Sequence, residues 1–328
     1  MTRCPPHTTD TVTLDAAQPD LPPDEAAEAT PRIEAIQRLK ARRNAVILAH
    51  NYMAPAIYRH VADITGDSLA LARRAAESDA DVIVMAGVHF MAETAKLLNP
   101  ERPVLMPDTN AGCSLAESIT PADVRALRAQ YPGVPVVTYV NTSAAVKAET
   151  DVCCTSGNAE TVVEALDSDR VIFLPDRFLA AHVAGRVSKE VIRWEGRCEV
   201  HDRFTGPQIR GYRAAFDDLT VLAHPECPPD VLAEADCVGS TAQMIDYVHR
   251  ERPVRALMVT ECSMSDNVAA EARDTEFLRP CTLCPHMKRI TLDNIEAALT
   301  NMEPTVEVDP AVAEGARAAV DRMLAIGR

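Results

Sequence analysis

A period of 85 to 88 residues constrains this chain more than any other feature of its sequence. Three cysteines, Cys113, Cys198 and Cys284, are separated by 85 and 86 residues. Three hydroxyl residues that precede predicted helices are separated by 88 and 85 residues. These are Ser68, Ser156 and Thr241. Because two independent features share one period, we predict three copies of one structural unit.

Each predicted unit contains two short apolar runs, which are typical of strands buried on both faces of a parallel sheet. The runs are residues 45–48, 82–85, 136–139, 171–174, 220–222 and 256–259. Longer amphipathic segments rich in Ala and Leu, such as 68–78 and 241–250, lie between them. The alternation predicts an α/β fold of three similar strand–helix–strand–helix units with parallel sheets. Around a pseudo-threefold axis, such units would bring the three cysteines together at the centre.

The repeat also sets the predicted boundaries along the chain. The three α/β units are residues 32–115, 116–200 and 201–300, and a helical segment follows at 301–328. Residues 1–31 are rich in Thr, Pro, Asp, Glu and Ala and are predicted to form a flexible tail. Cys4 lies in this tail and is not expected to bind a metal.

Composition excludes several classes of protein. Apolar residues make up 47% of 328 residues, so a large core can form. A net charge of −15 argues against nucleic-acid binding and against attachment to a membrane by basic residues. No apolar run reaches the roughly 18 residues that span a bilayer, and no signal peptide is evident. We therefore expect a cytoplasmic protein whose ten cysteines are free, catalytic or metal-bound.

The three periodic cysteines form a plausible metal site. Glycine or proline stands near each of them, which is typical of loops that bring backbone close to a ligand. Three thiolates suit an iron–sulfur cluster with one iron left open, and they also suit zinc. Cys281 and Cys284 form a lone C-x-x-C pair, which disfavours a zinc ribbon and leaves a thioredoxin-like redox pair as the other reading. Only Cys284 keeps the period, so Cys281 is interpreted as a bystander.

Polar side chains follow the first predicted strand of each unit. These are His50, Asn51 and Tyr52, then Tyr139, Asn141 and Thr142, and then His224 and Glu226. Ligands of open α/β sheets bind beyond the carboxyl ends of strands, so a shared site is predicted there. The three periodic hydroxyls could cap their helices, and the same helix N-termini could bind carboxylate or phosphate, so that both roles hold at once. No comparable argument applies to His60, His89, His182, His201 or His286.

The chain resembles the quinolinate synthase family of bacterial de novo NAD biosynthesis. The resemblance covers residues 32 to 300 in order. It rests on Ala-His-Asn-Tyr at 49–52, Gly-Asp-Ser-Leu at 66–69, His-Phe-Met-Ala-Glu-Thr-Ala-Lys at 89–96, Gly-Cys-Ser-Leu-Ala at 112–116, Tyr-Val-Asn-Thr at 139–142, Cys-Thr-Ser at 154–156, Cys-Glu-Val-His at 198–201, His-Pro-Glu-Cys at 224–227, Gly-Ser-Thr at 239–241 and Cys-Pro-His-Met-Lys at 284–288.

The resemblance implies a [4Fe–4S] cluster on Cys113, Cys198 and Cys284. It implies that iminoaspartate, which an aspartate oxidase would supply, condenses with dihydroxyacetone phosphate to give quinolinate, phosphate and two waters. The substrate pocket maps to His50, Tyr52, Ser68, Tyr139, Asn141, Ser156, His224, Glu226 and Thr241. Some relatives carry a C-x-x-C-x-x-C run at the third ligand, whereas this chain has only Cys281 and Cys284, so a redox role for that pair is not expected.

The chemistry needs a Lewis acid and proton transfer. An open iron can help a substrate oxygen to leave as water. We predict that Glu226 is the principal acid/base and that His224 and Tyr52 assist it. Two rival functions stay open at this stage: another iron–sulfur hydro-lyase acting on a small hydroxy acid, and a non-catalytic cluster-based sensor.

Overall fold

Three four-stranded, all-parallel sheets form the framework of the protein. They are seen in a computed structural model that describes residues 23–326. The strand order is the same in each sheet. The two strands formed by the apolar runs of the unit are neighbours at the centre, and the other two strands lie at the edges. The predicted α/β class, with three similar units and parallel sheets, is therefore confirmed.

The first sheet consists of β1 Ala45–His50, β2 Ile64–Gly66, β3 Val82–Ala86 and β4 Val104–Leu105, in the order β2-β1-β3-β4. The second consists of β5 Val136–Tyr139, β6 Val152–Cys154, β7 Arg170–Leu174 and β8 Glu190–Arg193, in the order β6-β5-β7-β8. The third consists of β9 Leu219–Ala223, β10 Cys237–Val238, β11 Arg255–Val259 and β12 Glu276–Leu278, in the order β10-β9-β11-β12.

Helices connect and flank these strands. They are α1 Pro23–Arg43, α2 Pro55–His60, α3 Ser68–Glu77, α4 His89–Leu98, α5 Pro121–Gln130, α6 Ala144–Ala148, α7 Ala159–Glu164, α8 Arg177–Ala184, α9 Gly206–Ala215, α10 Pro229–Leu232, α11 Thr241–Glu251, α12 Cys262–Glu271, α13 Leu292–Asn301 and α14 Pro310–Ile326. Short 3₁₀ helices lie at Ala116–Ser118, His201–Arg203 and Met287–Arg289.

The two central strands of each sheet carry most of its buried side chains. β1 pairs with β3 from Ala45↔Val82 to Ala49↔Ala86, and β9 pairs with β11 in the same parallel sense. Each sheet lies within one of the three predicted units. Parallel pairing places the carboxyl ends of neighbouring strands at one edge, so the polar residues that follow them share that edge.

The first helix begins earlier than the composition predicted. α1 starts at Pro23, so residues 23–31 are helical and Pro31 lies inside the helix. The segment Glu-Ala-Ala-Glu-Ala at 25–29 consists of strong helix formers, which outweighs the cost of that proline. α1 packs against α13, and α14 packs against α6 and β6. The rest of the predicted tail, residues 1–22, lies outside the described residues.

The expectation that the cysteines are free, catalytic or metal-bound was wrong for Cys237, Cys262 and Cys281. Cys281 is bonded to Cys262 in a disulfide whose Cα atoms are 4.9 Å apart, and Cys237 is also disulfide-bonded. The backbone N–H of Cys262 donates to the carbonyl of Thr282 at 3.1 Å, which brings the start of α12 beside the loop after β12.

Among residues 23–326, no helix combines the length and apolarity needed to cross a membrane.

Candidate active site and metal centre

One cavity is lined by residues from all three units. It is lined by every predicted metal and substrate residue: Cys113, Cys198, Cys284, His50, Tyr52, Ser68, Tyr139, Asn141, Ser156, His224, Glu226 and Thr241. The residues that the sequence placed in one site are therefore together in space.

The three cysteines that line the cavity occupy equivalent positions in their units, and we call this set the cysteine wall. Each stands three residues before a 3₁₀ helix, namely those at 116–118, 201–203 and 287–289. In each case the cysteine carbonyl accepts a backbone N–H from four residues later, at 3.0, 3.0 and 3.1 Å for Cys113, Cys198 and Cys284. The repeat therefore reproduces the local backbone as well as the cysteine.

Backbone N–H groups point at each thiol of the cysteine wall. The donors are the residues two and three positions after the cysteine: Leu115 and Ala116, Val200 and His201, His286 and Met287. Burial raises the pKa of all three thiols, to about 12 for Cys113, and the N–H groups oppose this rise. A bound metal would replace the thiol protons, and the same N–H groups would stabilise the thiolates.

Close contacts join the three cysteine loops. The N–H of Glu199 donates to the hydroxyl of Ser114 at 3.1 Å, and His286 Nε2 lies 3.0 Å from a Glu199 carboxylate oxygen. Gly196 allows the loop of Cys198 to approach its neighbours, because a Cβ there would lie 2.5 Å from the Pro175 carbonyl and the Ser118 hydroxyl. The residues close to the three cysteines thus hold the three loops in one arrangement.

The three thiols of the cysteine wall are available to a metal. All three periodic cysteines are free and half-buried. Within residues 23–326 no fourth cysteine lines the cavity, and the one compact metal-ligand group there combines Cys198 with His201 and Glu226, within 4.8 Å of one another. Structural zinc takes four ligands at one point. Three thiolates without a fourth suit a cluster that leaves one iron open.

The cavity is also lined by the polar residues after β1, β5 and β9, which we call the strand-end wall. It comprises His50, Tyr52, Tyr139, Asn141, His224 and Glu226. His50 Nδ1 accepts the N–H of Tyr52 at 3.2 Å, and His224 Nδ1 accepts the N–H of Glu226 at 3.4 Å. Burial lowers the pKa of these two histidines to about 4 and about 3, so both are neutral at pH 7 and carry their proton on Nε2.

Glu226 is the centre of the polar contacts in the strand-end wall. Its Oε1 accepts the hydroxyl of Tyr139 at 2.6 Å, and its Oε2 lies 2.9 Å from His201 Nδ1. Burial favours the protonated acid, but His224, His201 and the Tyr139 hydroxyl outweigh it and hold the pKa of Glu226 below its usual range. Glu226 is therefore a carboxylate at neutral pH.

The predicted helix-capping role of the hydroxyls was wrong for all three. α3 is capped by Asp67, whose carboxylate accepts the N–H groups of Leu69 and Ala70, and α11 is capped by Ser240. Ser68 and Thr241 are the first helical residues instead. Ser156 precedes the N-cap position of α7, Asn158. Their hydroxyls are thus available to the cavity, where Ser156 Oγ lies 3.2 Å from His224 Nε2.

Two buried polar atoms in the cavity have no hydrogen-bond partner among the described residues. They are Asn141 Oδ1 and His201 Nδ1, although the latter lies 2.9 Å from a carboxylate oxygen of Glu226. No Lys or Arg of residues 23–326 lines the cavity. An anionic ligand would therefore be bound by imidazole N–H groups, hydroxyls and amides rather than by a cationic side chain.

Comparison with known proteins decides the family. A family model described as "Quinolinate synthetase A protein" matches residues 34–325. The chain is 63% identical to "Quinolinate synthase 1" of Mesorhizobium japonicum over 93% of this chain and 94% of that protein. It is 65% identical to a "Quinolinate synthase" of Agrobacterium fabrum over 90% of this chain and 85% of that protein. The chain belongs to the quinolinate synthetase A family. Its relatives are named as synthases, and the chain is an enzyme.

One residue of this family member was missed by reasoning from the sequence. His201 is buried beside Glu226, and its ring stacks on His224 with centroids 4.7 Å apart. It was set aside because it does not follow a strand. Its position three residues after a periodic cysteine was the available signal, since the 3₁₀ helix that begins there turns His201 into the cavity.

Proposed function

We propose that this chain is a quinolinate synthase, a transferase of pyridine nucleotide biosynthesis. It would condense iminoaspartate with dihydroxyacetone phosphate to quinolinate, phosphate and two waters, a reaction that balances without an oxidant or reductant. The observation that carries the proposal is the single cavity, in which three free thiols face neutral histidines, hydroxyls and one carboxylate. The thiols match a metal cofactor, and the histidines, hydroxyls and carboxylate match two small anionic substrates.

Cys113, Cys198 and Cys284 would hold a [4Fe–4S] cluster. When bound, it supplies a Lewis-acidic iron without a protein ligand, which favours departure of a substrate oxygen as water. The N–H groups that point at each sulfur would stabilise the thiolates in that state.

Glu226 is proposed as the base that removes a carbon-bound proton next to a carbonyl. It is a carboxylate at neutral pH, and it lies within the cavity with Tyr139 and His201 on its two oxygens. These contacts hold the carboxylate in one orientation and lower its basicity. The lower basicity has to be offset by placing the substrate proton directly at Oε1 or Oε2. His224 and Tyr52 would assist by donating to, or accepting from, the departing oxygen.

The substrate carboxylates and phosphate would be bound by neutral donors. The Nε2–H groups of His50 and His224, the hydroxyls of Ser68, Ser156 and Thr241, and the amide of Asn141 line the cavity. Asp67 already accepts the first N–H groups of α3, so the N-terminus of that helix contributes little to anion binding. This arrangement is selective for small anions that can be enclosed, because no lysine or arginine there attracts bulk anions.

We further propose that the enzyme works in the cytoplasm, without nucleic-acid or membrane partners, and that an aspartate oxidase supplies its iminoaspartate. The high net negative charge supports the absence of nucleic-acid partners.

An anaerobic assay with both substrates tests the proposed function. Protein purified without oxygen is incubated with dihydroxyacetone phosphate and with iminoaspartate made in the assay from oxaloacetate and ammonia. Quinolinate is measured by chromatography and phosphate by a colorimetric reaction. We expect equal amounts of both products, and neither when one substrate is omitted.

The same assay separates the rival functions. A hydro-lyase acting on another hydroxy acid, or a cluster-based sensor, would release no phosphate and form no quinolinate. Cluster-loaded protein that gives neither product would therefore exclude the proposed function.

A further inference from the structure

Lys288 connects the loop of the third cysteine to the loop that follows β1. It is the fourth residue after Cys284, and its Nζ donates to the backbone carbonyl of Tyr52 at 2.7 Å. The same Nζ lies 2.6 Å from the hydroxyl of Ser263 and 3.1 Å from Oε1 of Glu261. One cation thus holds backbone of the first unit, the start of α12 and a carboxylate that is fully buried.

Glu261 contacts the backbone of the third cysteine directly. It precedes α12, and its Oε2 caps that helix by accepting the N–H of Ser263 at 2.8 Å. Its Oε1 accepts the backbone N–H of Cys284 at 3.3 Å. The carbonyl of Cys284 in turn accepts the backbone N–H of Lys288 at 3.1 Å. The ion pair between Lys288 and Glu261 therefore closes a ring of polar contacts around the backbone of Cys284.

This ion pair is an addition to a scaffold that otherwise repeats. In every unit, the first N–H of the helix after the second central strand donates to the carbonyl two residues before the cysteine: His89 to Ala111, Arg177 to Gly196 and Cys262 to Thr282. The N-cap residues of these helices are Val88, Asp176 and Glu261. The residues four positions after the cysteines are Glu117, Asp202 and Lys288. Only the third unit has a carboxylate and a cation at these two positions.

The loop of Cys284 has little apolar packing next to the cysteine. Leu283 directly precedes Cys284 and is 50% exposed. The disulfide at Cys281 fixes the loop three residues earlier and does not hold Cys284 itself. The polar ring formed with Glu261 and Lys288 is therefore what fixes the backbone of this cysteine.

We propose that Glu261 and Lys288 are positioning residues that hold Cys284 as the third cluster ligand and fix it relative to the strand-end wall. This inference rests on the cluster of the proposed function. Cys284 and Tyr52 line the cavity, whereas neither Glu261 nor Lys288 does, so the pair acts through these two residues. Groups that orient a metal ligand without binding the metal commonly govern how firmly the metal is held. The property to measure is therefore retention of the cluster.

Lys288→Met tests the inference, because methionine is of similar length and removes the cation. The contacts with the Tyr52 carbonyl and with Glu261 are then lost. Anaerobic protein that carries its cluster is mixed with a ferrous-iron chelator, and iron release is followed by the absorbance of the iron–chelate complex. We expect iron to be released about 10- to 100-fold faster than from the wild type.

The double variant Glu261→Gln/Lys288→Met separates position from charge. Removal of the lysine alone leaves a buried carboxylate without its cation, which destabilises a fold by itself. Glutamine removes that charge, but the double variant still lacks the donor to Tyr52 and the ion pair that closes the ring. We expect its iron release to stay within about threefold of that of Lys288→Met. If Lys288→Met does not fold, the double variant is compared with the wild type instead, with the same 10- to 100-fold difference expected.

Lys40→Met is the matched control. Lys40 is a buried lysine that also bonds to a carboxylate and to a backbone carbonyl, those of Asp63 at 2.6 Å and Val61 at 2.8 Å. It does not line the cavity. Its loss should lower thermal stability and leave the rate of iron release within about threefold of the wild type, because no cluster ligand depends on it.

Three results would overturn the inference. The first is iron release from Lys288→Met at the wild-type rate. The second is a return to the wild-type rate in the double variant, which would assign the effect to the unpaired charge. The third is equally fast release from Lys40→Met, which would assign it to general stability. A wild type that contains no iron and sulfide after anaerobic purification would instead refute the cluster of the proposed function.

Discussion

The two walls of the cavity differ in how closely they follow the repeat. In the cysteine wall, each unit contributes the same residue, the same 3₁₀ helix and the same pair of N–H groups at the sulfur. In the strand-end wall, the units contribute different chemistry: a histidine and a tyrosine, a tyrosine and an asparagine, and a histidine and a glutamate. A cluster has nearly equivalent corners, whereas two different substrates do not. The repeated wall therefore suits the cofactor and the diverged wall suits the reaction.

This comparison predicts that variants of the two walls fail in different ways. The largest effect is expected for Cys198→Ala, which removes one of three equivalent ligands. Iron and sulfide content should fall to near zero, and turnover should be lost with it. Cys153→Ala is the control, because Cys153 is a free, fully buried cysteine that does not line the cavity. A full cluster in Cys198→Ala would show that the three cysteines are not the ligand set.

Glu226→Gln is expected to give the next largest effect, and only on turnover. Glutamine keeps the shape and cannot act as the base, so kcat should fall by roughly 10²–10⁴-fold while iron and sulfide stay constant. Tyr139→Phe removes the hydroxyl that donates to Glu226 and leaves the carboxylate, so its loss should be about tenfold. Near-normal turnover with weaker substrate binding in Glu226→Gln would move the base to another residue, with Tyr52 next to be tested.

The smallest effects are expected at the start of α3, where Ser68 lines the cavity and Asp67 caps the helix. Ser68→Ala should raise KM by about fivefold with little loss of stability, because Ser68 is not the cap of α3. Asp67→Ala should lower the free energy of unfolding by about 1 kcal/mol, because two backbone N–H groups lose their acceptor. Thermal melts and steady-state kinetics measure the two effects. Equal destabilisation by both changes would contradict the assignment.

The sequence predicted the features that repeat or that form long apolar runs. The period of Cys113, Cys198 and Cys284 located the cysteine wall, and the central strands of all three sheets were correctly predicted. The outer strands β2, β4, β6, β8, β10 and β12 were missed because each spans only two to four residues and is too short to carry a pattern of its own. The N-caps of α3 and α11 were predicted one residue too late, at Ser68 and Thr241. Asp67 and Ser240, which directly precede them, also have a side-chain oxygen that accepts backbone N–H groups, and they are the caps.

Features that depend on the meeting of distant segments could not be predicted in this way. Thr260 belongs to no motif, yet its hydroxyl lies within hydrogen-bond distance of Tyr52 and His201, which are 208 and 59 residues away along the chain. The disulfide between Cys262 and Cys281 depends on how the loop after β12 lies against the start of α12. His201 had a signal in its spacing from Cys198, but only the 3₁₀ helix shows that this spacing turns the imidazole into the cavity.

The most direct test of the account is Mössbauer spectroscopy of protein loaded with ⁵⁷Fe, with and without quinolinate. Three cysteine ligands leave one of the four irons of a [4Fe–4S] cluster without a protein ligand, and that iron would face the strand-end wall. We predict that quinolinate changes the signal of this one iron and leaves the other three as they were. A spectrum in which all four irons stay unchanged, under conditions where binding is shown by calorimetry, would contradict the claim that the two walls form one site.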